Sequence, residues 1–364
     1  MRRAGIDKDF WQGRRVLLTG HTGFKGAWLA LVLSRLGSKV IGLSLAPEEQ
    51  SLFLQADVAH HLSAHHLVDL ENEPAVRAVV ADANPEVAIH FAAQSLVREA
   101  WRAPRRTFMT NVMGTVHLFD ALRRCDEIRT ILTTTTDKVY LNSEQGVPFR
   151  EEDPLGGIEP YSASKVGAEF VVSAYRGYFA GRAASVVARA GNIIGGGDWS
   201  MDRLIPDAMR AVMRGAPLEV RNPRSVRPWQ FVLDALEGYL LLVEKVTRKC
   251  PECSSPAKCA WNFGPSNGDA PVTVERVCRW IEDQWPRHFT WRYTQDAEDI
   301  RESRILSLDS SRARQDWGWS PRLSTQEAVL ATLEWYAAYM DGKNPYDICS
   351  RQIDEHFCVA GAPA

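Results

Sequence analysis

A run of threonines in "LTTTTDKVY", Leu132 to Tyr140, ends on an acid and a base, Asp137 and Lys138. Farther on, "YSASK" sets Tyr161 and Lys165 four apart, which puts both on one face at the start of a helix. A free tyrosine, with a pKa of about 10, is a poor base at neutral pH. A neighbouring ammonium favours the phenolate and lowers that value. The pair then suits removal of a proton from a hydroxyl while hydride leaves the same carbon. Asp137 and Lys138 admit a plainer reading as an exposed ion pair or a helix-flanking turn. Placed at the carboxyl edge of a parallel sheet, they face a ligand cleft instead.

The chemistry also needs a hydride acceptor, and "TGHTGFKG" supplies a place for one. Gly20, Gly23 and Gly26 recur at three-residue intervals where a strand passes into a helix. The first allows the tight turn, the second lets backbone approach a pyrophosphate, and the third lets the helix pack on the strand. Helix N–H groups then face the anion. The whole stretch Gly20, His21, Thr22, Gly23, Phe24, Lys25 and Gly26 is therefore a candidate dinucleotide site. An acid that would bond a ribose 2'-hydroxyl is missing from the end of the second strand, where Ser44 stands. Lys25 would suit a 2'-phosphate, so the residues alone leave NAD against NADP open. Asp69 and Leu70 are candidate adenine contacts, and Phe91, Ala92, Ala93, Gln94 and Thr134 would lie beneath the cofactor.

Those groups need a scaffold, and the first half provides one by alternating short apolar runs with segments of helical period. Strands are expected at Arg15–Thr19, Lys39–Leu45, His66–Leu70, Val87–Phe91, Thr130–Thr135 and Ala184–Ala190. Helices are expected at Gly26–Leu36, Glu73–Ala83, Arg106–Arg124 and Ser162–Phe179. The fold class is α/β: a Rossmann-type, doubly wound parallel sheet, followed by a smaller mixed α/β C-terminal lobe that would bind substrate. Residues 1–190 would form the dinucleotide-binding domain with the Tyr–Lys pair, and 191–342 the smaller lobe, with the chain free to cross back. That lobe is expected to hold helices at Asp202–Arg214, Gln230–Thr247, Val272–Trp285 and Ser324–Tyr339 and a strand at Trp261–Gly264. Residues 343–364 show no clear period and read as a tail.

The chain has 364 residues, 43 basic and 45 acidic side chains, and a formal charge of -2. Without a block of like charge or an apolar run of spanning length, it points to neither nucleic acid nor membrane as partner. A cytoplasmic protein with reduced thiols is expected, since seven cysteines are an odd number in a large chain. Cys250, Cys253 and Cys259 have the spacing of three zinc thiolates, yet no fourth ligand is evident, and the stretch reads as a polar loop. In "HHLSAHH", His61 and His65 would share a helix face, again without an acid or thiol beside them. No metal is expected. "GPSNG" matches a nucleophile-elbow pattern at Ser266, but Pro265 and Asn267–Gly268 read as a surface turn rather than a strained strand-to-helix corner.

From about Phe10 to Tyr339 the sequence resembles the extended short-chain dehydrogenase/reductases that act on nucleotide sugars, and within them the CDP-glucose 4,6-dehydratase type. The resemblance rests on "FWQGRRVLLTGHTGFKGAWL", "FAAQSLVR", "NVMGTVHL", "TTDKVY", "PYSASK", "RAGNIIGGGDW", "DRLIPD", "RNPRSVRPWQFV" and "WNFGP". The dTDP-glucose type has Thr-Asp-Glu where this chain has Thr-Asp-Lys. The resemblance implies enzyme-bound NAD, oxidation at C4 of the sugar, loss of water across C5 and C6, and return of hydride to C6. Carried over, Tyr161 is the base at C4 assisted by Thr136 and Lys165, Lys138 the base at C5, and Asp137 the acid at C6. Arg98, Asn192, Arg203, Leu204, Ile205, Arg221 and Arg227 become substrate contacts, and a planar guanidinium fork suits a pyrophosphate. A homodimer, or a tetramer, is also implied, with Val112, Val116 and Phe119 on one helix face available for contact. Two rivals remain: an epimerase or 4-keto reductase, which needs the Tyr–Lys pair alone, and a non-enzymatic dinucleotide sensor.

Overall fold

The computed structural model describes residues 5–249, 255, 257–266, 271–285, 287–295 and 303–357. Strands β1 (Arg15–Thr19), β2 (Lys39–Ser44), β3 (Ala64–Leu67), β4 (Val87–His90), β5 (Thr130–Thr136) and β6 (Ala184–Ala190) form most of one parallel sheet. β5 and β6 are buried at every position, as helices on both faces require. Two two-stranded ribbons follow, β7 (Ile193–Ile194) with β9 (Gln230–Phe231) and β8 (Leu218–Val220) with β11 (Trp291–Tyr293). The seventh strand of the large sheet is β10 (Ala260–Phe263), which pairs with β6. Its order is β10-β6-β5-β4-β1-β2-β3. The winding therefore reverses between β1 and β4, where ligands of such folds bind beyond the strand ends.

The helices are α1 (Lys8–Trp11), α2 (Phe24–Arg35), α3 (Leu52–Gln55), α4 (Glu73–Ala83), α5 (Val97–Arg102), α6 (Pro104–Phe108), α7 (Gly114–Leu122), α8 (Pro160–Phe179) and α9 (Leu204–Arg214). Then come α10 (Val232–Arg248), α11 (Val274–Gln284), α12 (Ser311–Trp317), α13 (Thr325–Met340) and α14 (Pro345–Phe357). α2 and α10 bring apolar side chains such as Trp28, Leu31, Leu236 and Leu240 to one face of the sheet. α4, α7 and α8 cover the other through Val76, Val80, Leu118 and Val172. α8 starts cleanly because Glu159 forms a capping box with Ser162 and Pro160 occupies the first turn. That fixes the exit point of Tyr161 and Lys165.

Several expectations change. β3 starts at Ala64, two residues before the expected His66, since its register pairs Ile41 with Ala64. An edge strand with one open side tolerates histidines that an inner strand would not. His61 and His65 share no helix face: His61 ends a 3-10 turn and stacks on Tyr346 at 4.4 Å, while His65 lies in β3. The expected helix Arg106–Arg124 is α6, a π-helical turn at Met109–Met113, and α7 in succession. Phe119 points into the core, so it does not share an outward face with Val112 and Val116. Cys259 is disulfide-bonded, contrary to the reduced thiols expected, whereas Cys125, Cys278 and Cys349 are free and buried. Cys250 and Cys253 lie outside the described residues, as does the Asn267–Gly268 pair after Ser266.

The expected tail is the largest correction, because residues 345–357 fold as α14. Ile348, Cys349 and Ile353 join the main core, and His356 points at Asp234 and Glu237 of α10 from 3.8 and 3.5 Å. Arg322 meets the same Glu237 at 2.7 Å. The helix is thus held by apolar burial and by a buried charge cluster. Ile353→Ala is expected to lower unfolding free energy by about 2–4 kcal/mol in urea titrations, as truncations in a packed core do. A change near zero would place the helix off the body.

Candidate active site

Carboxyl ends of β1, β2, β4, β5 and β6 open into one cavity of about 740 Å³ that continues between the sheet and α9. The glycine turn forms its floor. Gly20 adopts a φ of 76°, and a Cβ there would meet Ala92 N at 2.7 Å. At Gly26 a Cβ would sit 2.0 Å from Gly20 O, so the start of α2 packs directly on the turn. The first turn of α2 carries no acidic residue. A backbone cradle at a helix N-terminus, in a cavity of this size, fits a dinucleotide pyrophosphate.

Thr22, Phe24, Lys25, Ser44, Asp69, Leu70, Phe91, Ala92, Ala93, Gln94 and Thr134 all line this cavity with the three glycines. Ser44 Oγ meets Thr22 Oγ1 at 2.7 Å, so the β2 end offers hydroxyls in place of an acid. Asp69 lies beyond β3 and accepts the Glu71 N–H at 2.9 Å in a turn. His21 is the exception. Its ring is fully buried beneath the loop, against Gly42, with Phe53 and His65 at 5.3 and 5.7 Å between ring centroids. Both ring nitrogens lack a hydrogen bond among the described residues, and burial pushes the pKa down to about 4. Glycine at position 42 leaves the space that the ring fills.

The other half of the cavity holds the reactive groups. β5 delivers Thr136 and Asp137, both buried, with Lys138 half-buried beside them. Thr136 Oγ1 donates to Asp137 Oδ1 at 3.0 Å and accepts the Lys138 N–H at 3.3 Å. Asp137 Oδ2 has no hydrogen bond among the described residues. Burial raises the Asp137 pKa, against the pull of Lys138, Thr136 and Arg227. Across from it, α8 presents Tyr161 and Lys165. The expected lowering of Tyr161 by its lysine is not what this pocket produces. Burial pushes Tyr161 up to about 12, with nearby Thr136 and the charge of Arg203 working the other way. Lys165 falls to about 8 through burial, opposed by Glu169, and Lys25 falls to about 7 through burial and the nearby Lys165 and Arg203.

Arg98, Asn192, Arg203, Leu204, Ile205, Arg221 and Arg227 line the far wall. Arg203 pairs with Asp198 at 2.9 Å, while Arg98 and Arg221 reach Asp202 at 3.6 and 3.2 Å. Arg227 donates to the Val226 and Arg304 carbonyls at 2.9 and 3.3 Å. One supporting residue escapes the sequence reading. Asn111, in the π-helical turn, accepts Gln94 N at 2.8 Å and donates to Gln94 O at 2.9 Å and Ser164 Oγ at 2.8 Å. It ties the β4 loop to the helix of Tyr161 and Lys165. Helical interruptions of this type gather at functional sites, but a lone Asn in a helical period gives no such signal.

A Rossmann-type sheet, a dinucleotide cradle and a Tyr–Lys pair facing it define a dinucleotide-dependent enzyme of the short-chain dehydrogenase/reductase class. Residues 17–332 match the family described as GDP-mannose 4,6 dehydratase, and the chain belongs to it. A CDP-glucose 4,6-dehydratase from Salmonella typhimurium is 40% identical over 362 residues, 96% of this chain and 98% of that one. In fold alone the chain is similar to a dTDP-glucose 4,6-dehydratase from Bacillus anthracis in complex with NAD, with TM-score 0.72, 21% identity, and 91% and 99% of the two chains covered. It is likewise similar to a UDP-glucose 4-epimerase from Thermotoga maritima, with TM-score 0.75, 19% identity, and 89% and 99% covered.

Gly26→Ala tests the cradle. The added methyl would collide with Gly20 O, so NAD binding followed by calorimetry is expected to weaken more than about tenfold, or about 1.4 kcal/mol. An unchanged Kd in a folded variant would move the dinucleotide elsewhere.

Proposed function

We propose that the protein is an NAD-dependent hydro-lyase that converts CDP-glucose to CDP-4-keto-6-deoxyglucose. The observation that carries this reading is the presence, in one cavity, of the Tyr161–Lys165 pair and a separate acid and base, Asp137 and Lys138. When bound, NAD supplies a hydride acceptor for C4 and a hydride donor for C6. Tyr161 takes the C4 hydroxyl proton, with Lys165 favouring the charged phenol oxygen. Burial opposes the phenolate that accepts this proton, so that form would have to be held by positive charge around it, from Lys165, Arg203 and the nicotinamide ring that bound NAD would bring.

Oxidation at C4 acidifies the C5 proton, which Lys138 removes as the C6 hydroxyl departs with the proton of Asp137. Burial keeps that carboxyl protonated to higher pH than an exposed one, as an acid of this kind needs. Lys138 returns its proton to C5 as C6 is reduced. The proton gained at Tyr161 and the one spent at Asp137 balance when Tyr161 passes its proton on to the Asp137 carboxylate at the end of the cycle; Thr136, bonded to Asp137 Oδ1, lines the same cavity as Tyr161. Arg98, Arg203, Arg221 and Arg227 hold the pyrophosphate. An epimerase or a 4-keto reductase would leave Asp137 and Lys138 without work.

The homodimer belongs to the same proposal. Trp101, Phe108, Met113, Phe170 and Tyr178 expose large apolar surface along α5, α6, α8 and the turn after α6. A second copy laid on this layer would bury it. Phe170→Glu is expected to convert a dimer to monomer in sedimentation runs, and a monomeric parent would remove the assignment. Among the described residues no helix is long and apolar enough to cross a membrane. We place the enzyme in the cytoplasm, where NAD and sugar nucleotides are held.

Lys138→Ala tests the chemistry. A single turnover should still reduce bound NAD, while product lighter by one water forms at least about a hundredfold more slowly, the usual contribution of one acid or base. Product formed at the parent rate would remove Lys138 from the mechanism.

A further inference from the structure

The proposed reaction requires two segments distant in the chain to keep a fixed spacing: Thr136 to Lys138 after β5, and Tyr161 to Lys165 on α8. A buried ion pair lies behind both. Glu169, one helical turn beyond Lys165, is 3% exposed, and Arg189 of β6 is 0% exposed. Arg189 Nη2 and Nε meet the Glu169 carboxylate at 2.6 and 2.9 Å. Glu169 Oε1 also accepts the Thr135 hydroxyl at 2.6 Å. Arg189 Nη1 donates to the Tyr140 hydroxyl at 2.9 Å and to the Glu151 carbonyl at 3.2 Å. Tyr140 in turn donates to Asn262 Oδ1 of β10 at 2.6 Å.

Thr135 and Tyr140 flank the acid–base segment on its two sides. One carboxylate–guanidinium pair therefore grips both ends of Thr136–Val139 and the helix that carries Tyr161 and Lys165. A fully buried pair of this kind is a weak source of stability compared with packed apolar side chains. A bidentate fork, however, fixes direction as well as distance.

We propose that Glu169 and Arg189 are the positioning pair of the active site, setting the spacing between the acid–base segment and the Tyr–Lys helix and the charge felt by Lys165. This rests on the dehydratase reading above. The titratable groups that interact with Lys165 are Lys25 from α2, His90 from β4 and Glu169 on its own helix, with Tyr161 four residues before it; Arg203, just before α9, faces Lys25 and Tyr161. Of these, Glu169 is the acid that holds the Lys165 pKa up against burial. Without its charge, Lys165 would lose its proton at lower pH, and the alkaline limb of kcat would move toward neutrality.

Glu169→Gln keeps an acceptor for Thr135 and removes the charge. Combined with Arg189→Met it also removes the unpaired guanidinium. With CDP-glucose and NAD saturating, the single variant is expected to lose kcat about tenfold while KM stays within about twofold, the signature of a group that acts in the transition state. Its alkaline limb should shift acidward by about half a unit or more. The double variant should recover thermal stability yet keep the shifted limb, and it carries the test if the single variant does not fold. The proposal is overturned if either folded variant keeps the parent's kcat and alkaline limb, or if the double variant restores both along with stability. Failure of the parent itself to form a 4-keto product would instead count against the functional reading.

Discussion

A carboxyl group buried at the end of a parallel strand is the constraint to which the rest of the active site answers. Asp137 has one oxygen bonded to Thr136 and one without a hydrogen bond among the described residues, in surroundings that favour its protonated form. An unpaired buried charge would cost several kcal/mol, so such a group stays neutral or finds a cation. Lys138 and Arg227 pull in the ionising direction while burial pulls the other way. In the proposed reaction that balance would let Asp137 hold a proton for the leaving hydroxyl beside Lys138, the proposed base.

The sheet makes the balance achievable. Seven parallel strands carry their ligand cleft at one edge, and β5 runs one step into it before ending as a 3-10 turn over Asp137–Val139. From α8, capped at Glu159, Tyr161 and Lys165 reach the same cavity as Thr136 and Asp137. In the proposed reaction the redox pair and the elimination pair would thus work within one cavity.

Much of this was legible in the sequence because the signals are local. Asn72 and Pro74 bracket the start of a helix that runs over the expected Glu73–Ala83, and β6 occupies the expected Ala184–Ala190. The glycine spacing and the Tyr–Lys offset each report on one turn of chain. What failed depends on contacts between distant segments. His21 sits under the loop because Gly42 of another strand leaves room. β10 reads as part of the smaller lobe until α10 carries the chain back to β6. α14 reads as a tail because its few apolar residues acquire meaning against α2, α3 and α13. The raised pKa of Tyr161 follows from burial, which composition does not reveal. Asn111, Glu169 and Arg189 were missed for the same reason, since a buried polar network has no periodic signature.

The central claim is that one site oxidises C4, eliminates water across C5 and C6, and returns the same hydride to C6. Its most direct measurement uses CDP-glucose labelled with deuterium at C4, turned over with NAD and read by mass spectrometry and NMR of the product. The account predicts that the label reappears at C6 of the 4-keto-6-deoxy product, within the molecule that supplied it. Label left at C4, or lost to solvent or to free reduced NAD during turnover, would contradict it.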